Sequence, residues 1–127
     1  MVAGHGIDIV EVERIRRAIA RFGFRFIARI FDALEIDEAS KFKDPSQYYA
    51  SRFAAKEAFS KAVGTGFRGF GPRDVIIVRD ADKPPRIEFS QKLREVFPAI
   101  RQDDFILSIS HEKKMAAASV IMHQNLK

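Results

Sequence analysis

The chain has no cysteine, no tryptophan and only two tyrosines among its 127 residues. The absence of cysteine excludes a disulfide framework, a thiolate zinc site and a cysteine nucleophile. No apolar run approaches the roughly 20 residues that a membrane-spanning helix needs. The N-terminus lacks a basic stretch followed by an apolar one, which indicates that there is no signal peptide. We therefore expect a cytoplasmic protein with no membrane partner.

The chain is rich in basic residues and in phenylalanine. Lysine and arginine number 22 against 17 aspartates and glutamates, a net charge of +5, and 12 phenylalanines supply most of the large apolar volume. This length and composition are typical of one globular domain, which we expect to span residues 1–127. The excess positive charge indicates a polyanionic partner, and a nucleic acid, a phosphorylated cofactor or an acidic protein would each satisfy it.

The apolar periodicity changes several times along the chain and predicts an α+β fold. Alternation or short β-branched runs indicate strands, and apolar residues three and four positions apart indicate helices. Ser46 and Ser90 are predicted N-caps, and Gly64 is predicted to end the central helix. We expect a small antiparallel sheet packed with a long N-terminal helix and a central helix. The predicted strands are 5–10, 75–78, 86–89, 105–110 and 116–123, and the predicted helices are 11–30, 32–42, 46–63 and 91–97.

Two acidic residues, Asp8 in the first predicted strand and Glu57 in the central helix, are candidates for metal binding. Taken singly, each has an ordinary structural interpretation, since Asp8 would face solvent and Glu57 would pair with Lys61 at i+4. Taken together, the two carboxylates would supply the hard oxygen ligands that Mg²⁺ usually takes from protein. The spacing in sequence leaves open whether the two side chains meet.

Lys61 is followed three residues later by the glycine-rich turn Gly64-Thr65-Gly66. Glycine backbone amides and a lysine can hold the phosphates of an anionic ligand. The turn follows its helix, whereas in the usual phosphate-binding loop the glycines precede one. An ordinary helix C-terminus with a flexible loop is therefore the alternative interpretation.

His111 ends a predicted strand that also carries Ser108 and Ser110. A histidine there would bind phosphate or move a proton near neutral pH, and a simple hairpin-turn residue is the alternative. A Ser-His-acid triad is formally available, but the sequence has no nucleophile-elbow pattern. The three histidines also lack the spacing of a zinc site.

Four arginines recur at helical spacing along the predicted N-terminal helix and form one basic face, the arginine stripe: Arg14, Arg17, Arg21 and Arg25. No acidic residue lies between Arg14 and Ile30, whereas a solvated helix face normally mixes charges of both signs. The stripe therefore favours an acidic partner surface. We expect no nucleic acid, because the chain has no recognisable nucleic-acid motif and few aromatic residues placed to stack on bases.

Three segments, taken in order, resemble the signatures of the holo-[acyl-carrier-protein] synthases, the small trimeric type of phosphopantetheinyl transferase. Residues 6–15 read GIDIVEVERI, residues 52–66 read RFAAKEAFSKAVGTG, and residues 109–112 read ISHE before the final strand. The resemblance runs from about residue 4 to about residue 122. One departure is Asp82-Lys83-Pro84, which stands where members often have Gly-Lys-Pro.

This resemblance implies a phosphopantetheinyl transferase-like fold and a reaction of fatty acid biosynthesis. The 4′-phosphopantetheine arm of coenzyme A would be transferred to a serine of apo acyl carrier protein, with release of adenosine 3′,5′-bisphosphate. The resemblance also implies a homotrimer with active sites between subunits. A non-catalytic basic module that binds nucleic acid or an acidic protein is the alternative, and such a module needs neither Asp8 nor Glu57.

The resemblance also implies roles for particular residues. Asp8 and Glu57 would bind Mg²⁺, and Lys61 would hold phosphate and stabilise charge as the bond breaks, so these three are the expected catalytic residues. A metal-bound water, Glu57 or Lys61 would accept the serine proton. Coenzyme A would be bound by Arg52, Lys61, Gly64, Thr65, Gly66 and His111. The acidic carrier protein would be bound by Arg14, Arg17, Arg21 and Arg25.

Overall fold

Residues 1–124, which the computed structural model describes, form five α-helices and five β-strands. The strands are β1 (Val2–Glu11), β2 (Val75–Val78), β3 (Arg86–Phe89), β4 (Phe105–His111) and β5 (Met115–His123). The helices are α1 (Val12–Phe22), α2 (Phe24–Ile30), α3 (Ala33–Ala39), α4 (Ser46–Ala62) and α5 (Gln91–Val96). None of these helices has the length and apolar character that crossing a membrane requires.

The strands pair antiparallel and form two sheets. In the larger sheet β5 lies between β1 and β4, and in the smaller sheet β2 pairs with β3. The register places Asp8 of β1 and Ile109 of β4 on either side of Ala118 in β5, and it places His111 beside Ala116. The predicted α+β architecture with a small antiparallel sheet is confirmed.

Helix α4 packs across β1 and β5, and its backbone comes very close to two glycines of β1. A Cβ atom at Gly6 would lie 1.8 Å from the carbonyl oxygen of Ala58, and Gly4 makes a similar approach one helical turn further along α4. Such distances leave no room for any side chain, so only glycine permits this packing. The contact holds the C-terminal half of α4 against β1, and this half carries Glu57 and Lys61.

Phenylalanine fills much of the core. Phe59 of α4 is fully buried, and its ring contacts three others at centroid distances of 6.0, 5.8 and 4.8 Å, namely Phe70, Phe89 and Phe105. These rings come from the loop after α4, from β3 and from β4. The aromatic cluster therefore joins both sheets to the central helix.

One ion pair lies inside the core, where Lys56 of α4 and Glu35 of α3 are both fully buried. The Lys56 Nζ donates to Glu35 Oε1 at 2.7 Å. Burial lowers the pKa of Lys56, and the adjacent Glu35 carboxylate acts in the opposite direction. Sequence spacing does not predict this pair, because the two residues lie on different helices.

The predicted single helix 11–30 is wrong, because Gly23 divides it into α1 and α2. Gly23 has a φ of +60° and a ψ of −143°, a conformation that is open essentially only to glycine. The apolar spacing continues into α2 all the same, where Phe26 and Ile30 pack against the core. The sequence pattern therefore predicts the buried faces of both helices but not the turn between them.

The bounds of α4 and α5 agree with prediction to within one residue, whereas α3 ends at Ala39, three residues before the predicted end, and one predicted cap is absent. Ser90 caps α5, since its Oγ accepts from the N–H of Leu93 at 3.1 Å. Ser46 does not act as the predicted N-cap of α4, because it is the first helical residue and its side chain makes no cap. Its N–H donates instead to the Asp44 carboxylate at 3.0 Å. The predicted strands are all present, and β2 and β3 have the predicted bounds.

The face of the larger sheet that points away from α4 is open to solvent within residues 1–124. Three apolar side chains on this face are more than half exposed, namely Ile7, Ile9 and Ile106. Gly6 and Val10 alternate with them along β1 and are buried under α4. Exposed apolar side chains grouped on one face of a sheet are typical of an interface with another protein.

Candidate active site

Packing of α4 on β1 brings Asp8, Glu57 and Lys61 together at one edge of the larger sheet. Lys61 Nζ donates to Asp8 Oδ1 at 3.1 Å and to the carbonyl oxygen of Ile7 at 3.0 Å. Asp8 keeps 19% of its side-chain surface exposed, so a ligand can reach it. Within residues 1–124, Lys61 forms its ion pair with Asp8 and not with Glu57, the partner that i+4 spacing predicts.

Asp8 and Glu57 line one cavity of about 450 Å³, which we call the acidic cavity. Burial raises the pKa of Glu57, the Asp8 carboxylate raises it further, and Lys61 lowers it. The two carboxylates are therefore close enough to repel each other. One arginine and several apolar side chains also line the cavity, among them Arg14, Ile15, Phe26 and Phe53.

The donors of the acidic cavity fit a magnesium ion. Mg²⁺ usually takes one or two carboxylates from protein and completes its shell with water and phosphate oxygens. Asp8 and Glu57 offer two carboxylates, and a bound cation would relieve the repulsion that contributes to the raised pKa of Glu57. In the part of the chain that the structure describes, no group of three or more histidine or acidic side chains could hold a metal. The pair therefore suits a metal that shares its coordination with a ligand, and not a closed structural site.

The Gly64-Thr65-Gly66 turn follows α4 directly and begins three residues after Lys61. Gly64 and Gly66 have φ values of +87° and +64°, and a Cβ atom at either position would meet nothing within 4 Å. The turn therefore needs glycine for its backbone conformation and leaves open space beside that backbone. The Gly66 N–H donates to the Ser60 carbonyl oxygen at 3.1 Å, which holds the turn against the helix.

Arg52 and His111 lie together in a second cavity of about 290 Å³, the arginine cavity. The Arg52 guanidinium stacks over the Tyr48 ring at 4.3 Å, and its Nη1 donates to Ser51 Oγ at 3.0 Å. Its Nε is buried and has no hydrogen-bond partner among residues 1–124. An anion bound in the cavity would satisfy such a donor. Arg79 lines the same cavity, and the sequence does not predict it because no motif marks the residue after β2.

The predicted site residues thus fall into two groups within the chain. Asp8 lies on β1 and faces Glu57 and Lys61, whereas His111 lies at the end of β4 and faces Arg52. Strand β5 lies between β1 and β4, which places the two groups at opposite edges of the larger sheet. Helix α4 covers the sheet between them, so the two groups line separate cavities.

The structure interrupts the arginine stripe. Arg14, Arg17 and Arg21 are exposed on α1, but Arg25 belongs to α2, beyond the turn at Gly23. The prediction of one continuous basic helix face is therefore wrong, although all four arginines are exposed. Because Arg14 also lines the acidic cavity, the basic surface begins directly beside the acidic pair.

Comparison with known proteins identifies the family to which the chain belongs. A sequence model described as the 4′-phosphopantetheinyl transferase superfamily matches residues 4–116. The matched span includes both the acidic cavity and the arginine cavity. The chain therefore belongs to the 4′-phosphopantetheinyl transferase superfamily.

Two curated relatives narrow this class. The holo-[acyl-carrier-protein] synthase of Clostridium acetobutylicum is 38% identical over 122 residues, which are 96% of this chain and 98% of the relative. That of Koribacter versatilis is 42% identical over 123 residues, with the same two shares of 96% and 98%. The chain therefore belongs to the holo-[acyl-carrier-protein] synthases.

Solved structures of this family have the same fold. The synthase of Neisseria meningitidis superposes with a TM-score of 0.86 at 38% identity and covers 98% of this chain and 100% of its own. The Bacillus anthracis synthase, solved in complex with CoA (3′,5′-ADP), superposes with a TM-score of 0.80 at 33% identity. The superposition covers 98% of this chain and 99% of that synthase. The Helicobacter pylori synthase, solved in complex with coenzyme A, superposes with a TM-score of 0.79 at 33% identity. The superposition covers 93% of this chain and 98% of that synthase.

Proposed function

We propose that this protein transfers the 4′-phosphopantetheine arm of coenzyme A to a serine of apo acyl carrier protein, in the cytoplasm and as a step of fatty acid biosynthesis. The observation that carries the proposal is the meeting of Asp8, Glu57 and Lys61, which come from two distant segments and form one site. Both segments resemble the synthase signatures. The named activity of the relatives and the coenzyme A complexes of two of the solved structures support the same reaction.

The acidic cavity is the proposed site of bond breaking. Asp8 and Glu57 would hold Mg²⁺, which supplies Lewis-acid stabilisation of the charge that develops on the leaving phosphate. The Lys61 ammonium is fixed by Asp8 and by the Ile7 carbonyl, so it is oriented to contact a phosphate oxygen. Positioning and charge neutralisation of this kind account for most of the catalysis in phosphoryl transfer.

Glu57 is the side chain that we propose to accept the serine proton. The serine oxygen forms a bond to the phosphorus of the pantetheine arm, the pyrophosphate bond breaks, and adenosine 3′,5′-bisphosphate leaves. Glu57 is a carboxylate that lines the cavity where the bond breaks, so it lies where the serine proton must be released. Lys61 is the weaker candidate, because its ammonium already donates to two oxygens.

Two anionic groups on coenzyme A match two basic regions of the protein. Lys61 and the open backbone of Gly64-Thr65-Gly66 would bind the pyrophosphate beside the acidic cavity. Arg52 and His111 would bind a phosphate in the arginine cavity, where the buried Arg52 Nε lacks a partner among residues 1–124. These assignments extend the sequence prediction to defined cavities.

The separation of these two regions supports a homotrimer with shared sites. In one protomer they lie at opposite edges of the larger sheet, so one coenzyme A molecule would need the acidic cavity of one subunit and the arginine cavity of a neighbour. The open sheet face with Ile7, Ile9 and Ile106 offers an apolar surface for that assembly. A second and a third copy of this chain are therefore the proposed occupants of that face.

The decisive experiment is intact-mass spectrometry of an apo acyl carrier protein incubated with the enzyme, coenzyme A and MgCl₂. We expect a mass gain of one phosphopantetheine, lost when EDTA replaces the metal and lost in Asp8→Ala. Asp37→Ala, which removes an exposed carboxylate from α3, is the control and should keep full transfer. Full transfer by Asp8→Ala would contradict the assignment of the acidic cavity. No transfer by the wild type with any carrier would favour the non-catalytic basic module instead.

A further inference from the structure

Helix α4 is buried over most of its surface. Twelve of its 17 residues are buried, and Phe53, Glu57 and Lys61, at i, i+4 and i+8, form one stripe that is not. The close backbone contacts with Gly4 and Gly6 hold one side of the helix against β1. Directional polar contacts on another side of α4 would further limit its rotation.

Lys56 supplies such contacts. Its Nζ donates to Glu35 Oε1 at 2.7 Å, to the Pro72 carbonyl oxygen at 3.0 Å and to the Val75 carbonyl oxygen at 2.5 Å. An ammonium has three donors, so this group is fully satisfied. The three acceptors belong to α3 and to the residues at the start of β2, and they hold the Lys56 side of α4 in one direction.

Glu35 is fixed just as firmly as its partner. Its Oε1 also accepts from the Asp32 N–H at 2.9 Å, and its Oε2 accepts from the Ile77 N–H at 3.0 Å. The carboxylate therefore cannot follow Lys56 if α4 turns. A buried ion pair is by itself weak evidence for stability, which leaves a positional role to account for it.

Glu57 is the residue that this anchor controls, because it follows Lys56 directly in the helix. Successive residues point about 100° apart, so fixing the direction of Lys56 fixes that of Glu57. At the 5–6 Å radius of helix side chains, a rotation of about 20° would displace the Glu57 carboxylate by roughly 2 Å. A misplacement of about 1 Å in a catalytic constellation can cost about 100-fold in rate.

We propose that the Lys56–Glu35 ion pair is a positioning device that sets the rotation of α4 and thereby holds Glu57 in its metal-binding place beside Asp8. The proposal rests on the proposed function, because it takes Glu57 to be a metal ligand. Lys56 and Glu35 are positioning residues and not catalytic ones, since neither reaches the acidic cavity.

The test is the double variant Lys56→Met with Glu35→Gln, which removes both charges and nearly conserves volume. We expect kcat to fall by about tenfold or more while KM for the carrier changes by less than about twofold. We also expect Mn²⁺ affinity, measured by electron paramagnetic resonance without coenzyme A, to weaken by about tenfold. All measurements are made at a temperature where the thermal melt shows the variant fully folded. Unchanged kcat and unchanged Mn²⁺ affinity in this folded variant would overturn the proposal.

Leu93→Ala is the matched control for lost stability. Leu93 is fully buried in α5, which supplies none of the hydrogen bonds to Lys56 or Glu35, so this variant loses core packing and keeps the ion pair. It should keep wild-type kcat and Mn²⁺ affinity below its melting temperature. An equal loss in Leu93→Ala would show that destabilisation alone weakens the site, and it too would overturn the proposal.

Glu35→Asp decides the question if the double variant does not fold. It keeps both charges but draws the carboxylate back by one methylene, so α4 should turn and Mn²⁺ affinity should fall. Wild-type Mn²⁺ affinity in Glu35→Asp would then overturn the proposal. The Mn²⁺ measurement needs no carrier, so it tests the anchor separately from the transfer reaction, and a wild type that binds Mn²⁺ but transfers nothing would contradict only the proposed function.

Discussion

Glu57 is held in the folded protein at an electrostatic cost that the unfolded chain does not have. Burial raises its pKa, and the Asp8 carboxylate in the same cavity raises it further. Without a bound cation, two like charges share a partly desolvated site at neutral pH. Local instability of this kind is common where function requires a particular set of side chains. Stability and transfer should therefore respond in opposite directions to a change at Glu57.

We expect Glu57→Gln to abolish transfer and to raise the Tm of the metal-free protein at pH 7. The free energy of unfolding should rise by at most about 1 kcal/mol, because solvent screens the partly exposed group. This corresponds to a rise in Tm of roughly 4 °C. The folded pKa of Glu57 lies above the ordinary value of 4.5, so ionisation of this group lowers the free energy of unfolding as pH rises through that window. The gain should therefore vanish towards about pH 4, where the carboxyl is protonated in both states. Thermal melts in EDTA across this pH range measure it.

Glu95→Gln is the control for this measurement. Glu95 is exposed on α5, and its carboxylate accepts a hydrogen bond from Gln91 at 3.3 Å. The substitution should leave both the Tm and the transfer rate unchanged over the same pH range. A lower Tm in Glu57→Gln than in the wild type at pH 7 would contradict the repulsion between Glu57 and Asp8.

At the scale of elements, the contact between α4 and β1 does most to form the site. The sequence places Glu57 and Lys61 on one face of a helix and Asp8 in a strand, but no periodicity says that the helix crosses that strand. The crossing depends on backbone contact at Gly6. A contact made by glycine produces no apolar pattern in the sequence. The two short strands β2 and β3 are easier to predict, because apolar runs on either side of a Pro-Pro turn define both of their ends.

Gly6→Ala tests this contact. A Cβ atom there would lie 1.8 Å from the Ala58 carbonyl oxygen, so α4 must move away from β1. We expect a loss of stability of roughly 1–3 kcal/mol or more, measured by urea denaturation, and a loss of transfer even where the protein is folded. Gly71→Ala is the matched control, because its φ is −122° and its Cβ would meet nothing closer than 3.9 Å. Wild-type transfer by Gly6→Ala would refute the account of α4 packing.

The predicted site residues divide according to the kind of contact that positions them. Helical spacing identifies Arg14, Arg17 and Arg21 as neighbours, because one helix carries them all. The prediction that Arg25 lies on the same helix face is wrong, because Gly23 turns the chain without disturbing the apolar pattern. The arginine cavity and the buried pair of Lys56 and Glu35 depend on contacts between distant elements, which a single sequence does not reveal. The site could therefore be predicted as residue types but not as two separate cavities.

The basic surface of α1 should bind the acidic carrier protein. We expect Arg14→Glu with Arg21→Glu to raise KM for the carrier by about tenfold at low salt, and by less at high salt where screening already weakens the attraction. Arg73→Glu with Arg94→Glu changes the net charge equally at exposed positions outside the stripe, so it controls for net charge. Steady-state kinetics with the carrier as varied substrate measure both. Equal KM values for the two double variants at low salt would count against this docking surface.

At the scale of the whole molecule, one protomer holds two incomplete halves of the proposed coenzyme A site. The acidic cavity lies at the β1 edge of the larger sheet and the arginine cavity at the β4 edge, with α4 between them. Exposed isoleucines on the opposite face of the same sheet offer a surface through which copies of the chain would associate. A closed ring of subunits would bring the acidic cavity of each protomer to the arginine cavity of the next.

Mixing two inactive variants tests this arrangement directly. Asp8→Ala should be inactive because it lacks a metal ligand, and Arg52→Ala because it lacks the guanidinium of the arginine cavity. When the two chains are co-expressed with different tags and purified as mixed trimers, some sites combine an intact Asp8 with an intact Arg52 from the neighbour. Every mixed trimer contains one neighbour pair that combines the two intact residues, so one site in three is intact and transfer should recover to roughly a third of the wild-type rate. The control is a chain that carries both substitutions, and trimers of this chain alone should be inactive. If mixed trimers of the two single variants recover no activity, the site is not shared between subunits.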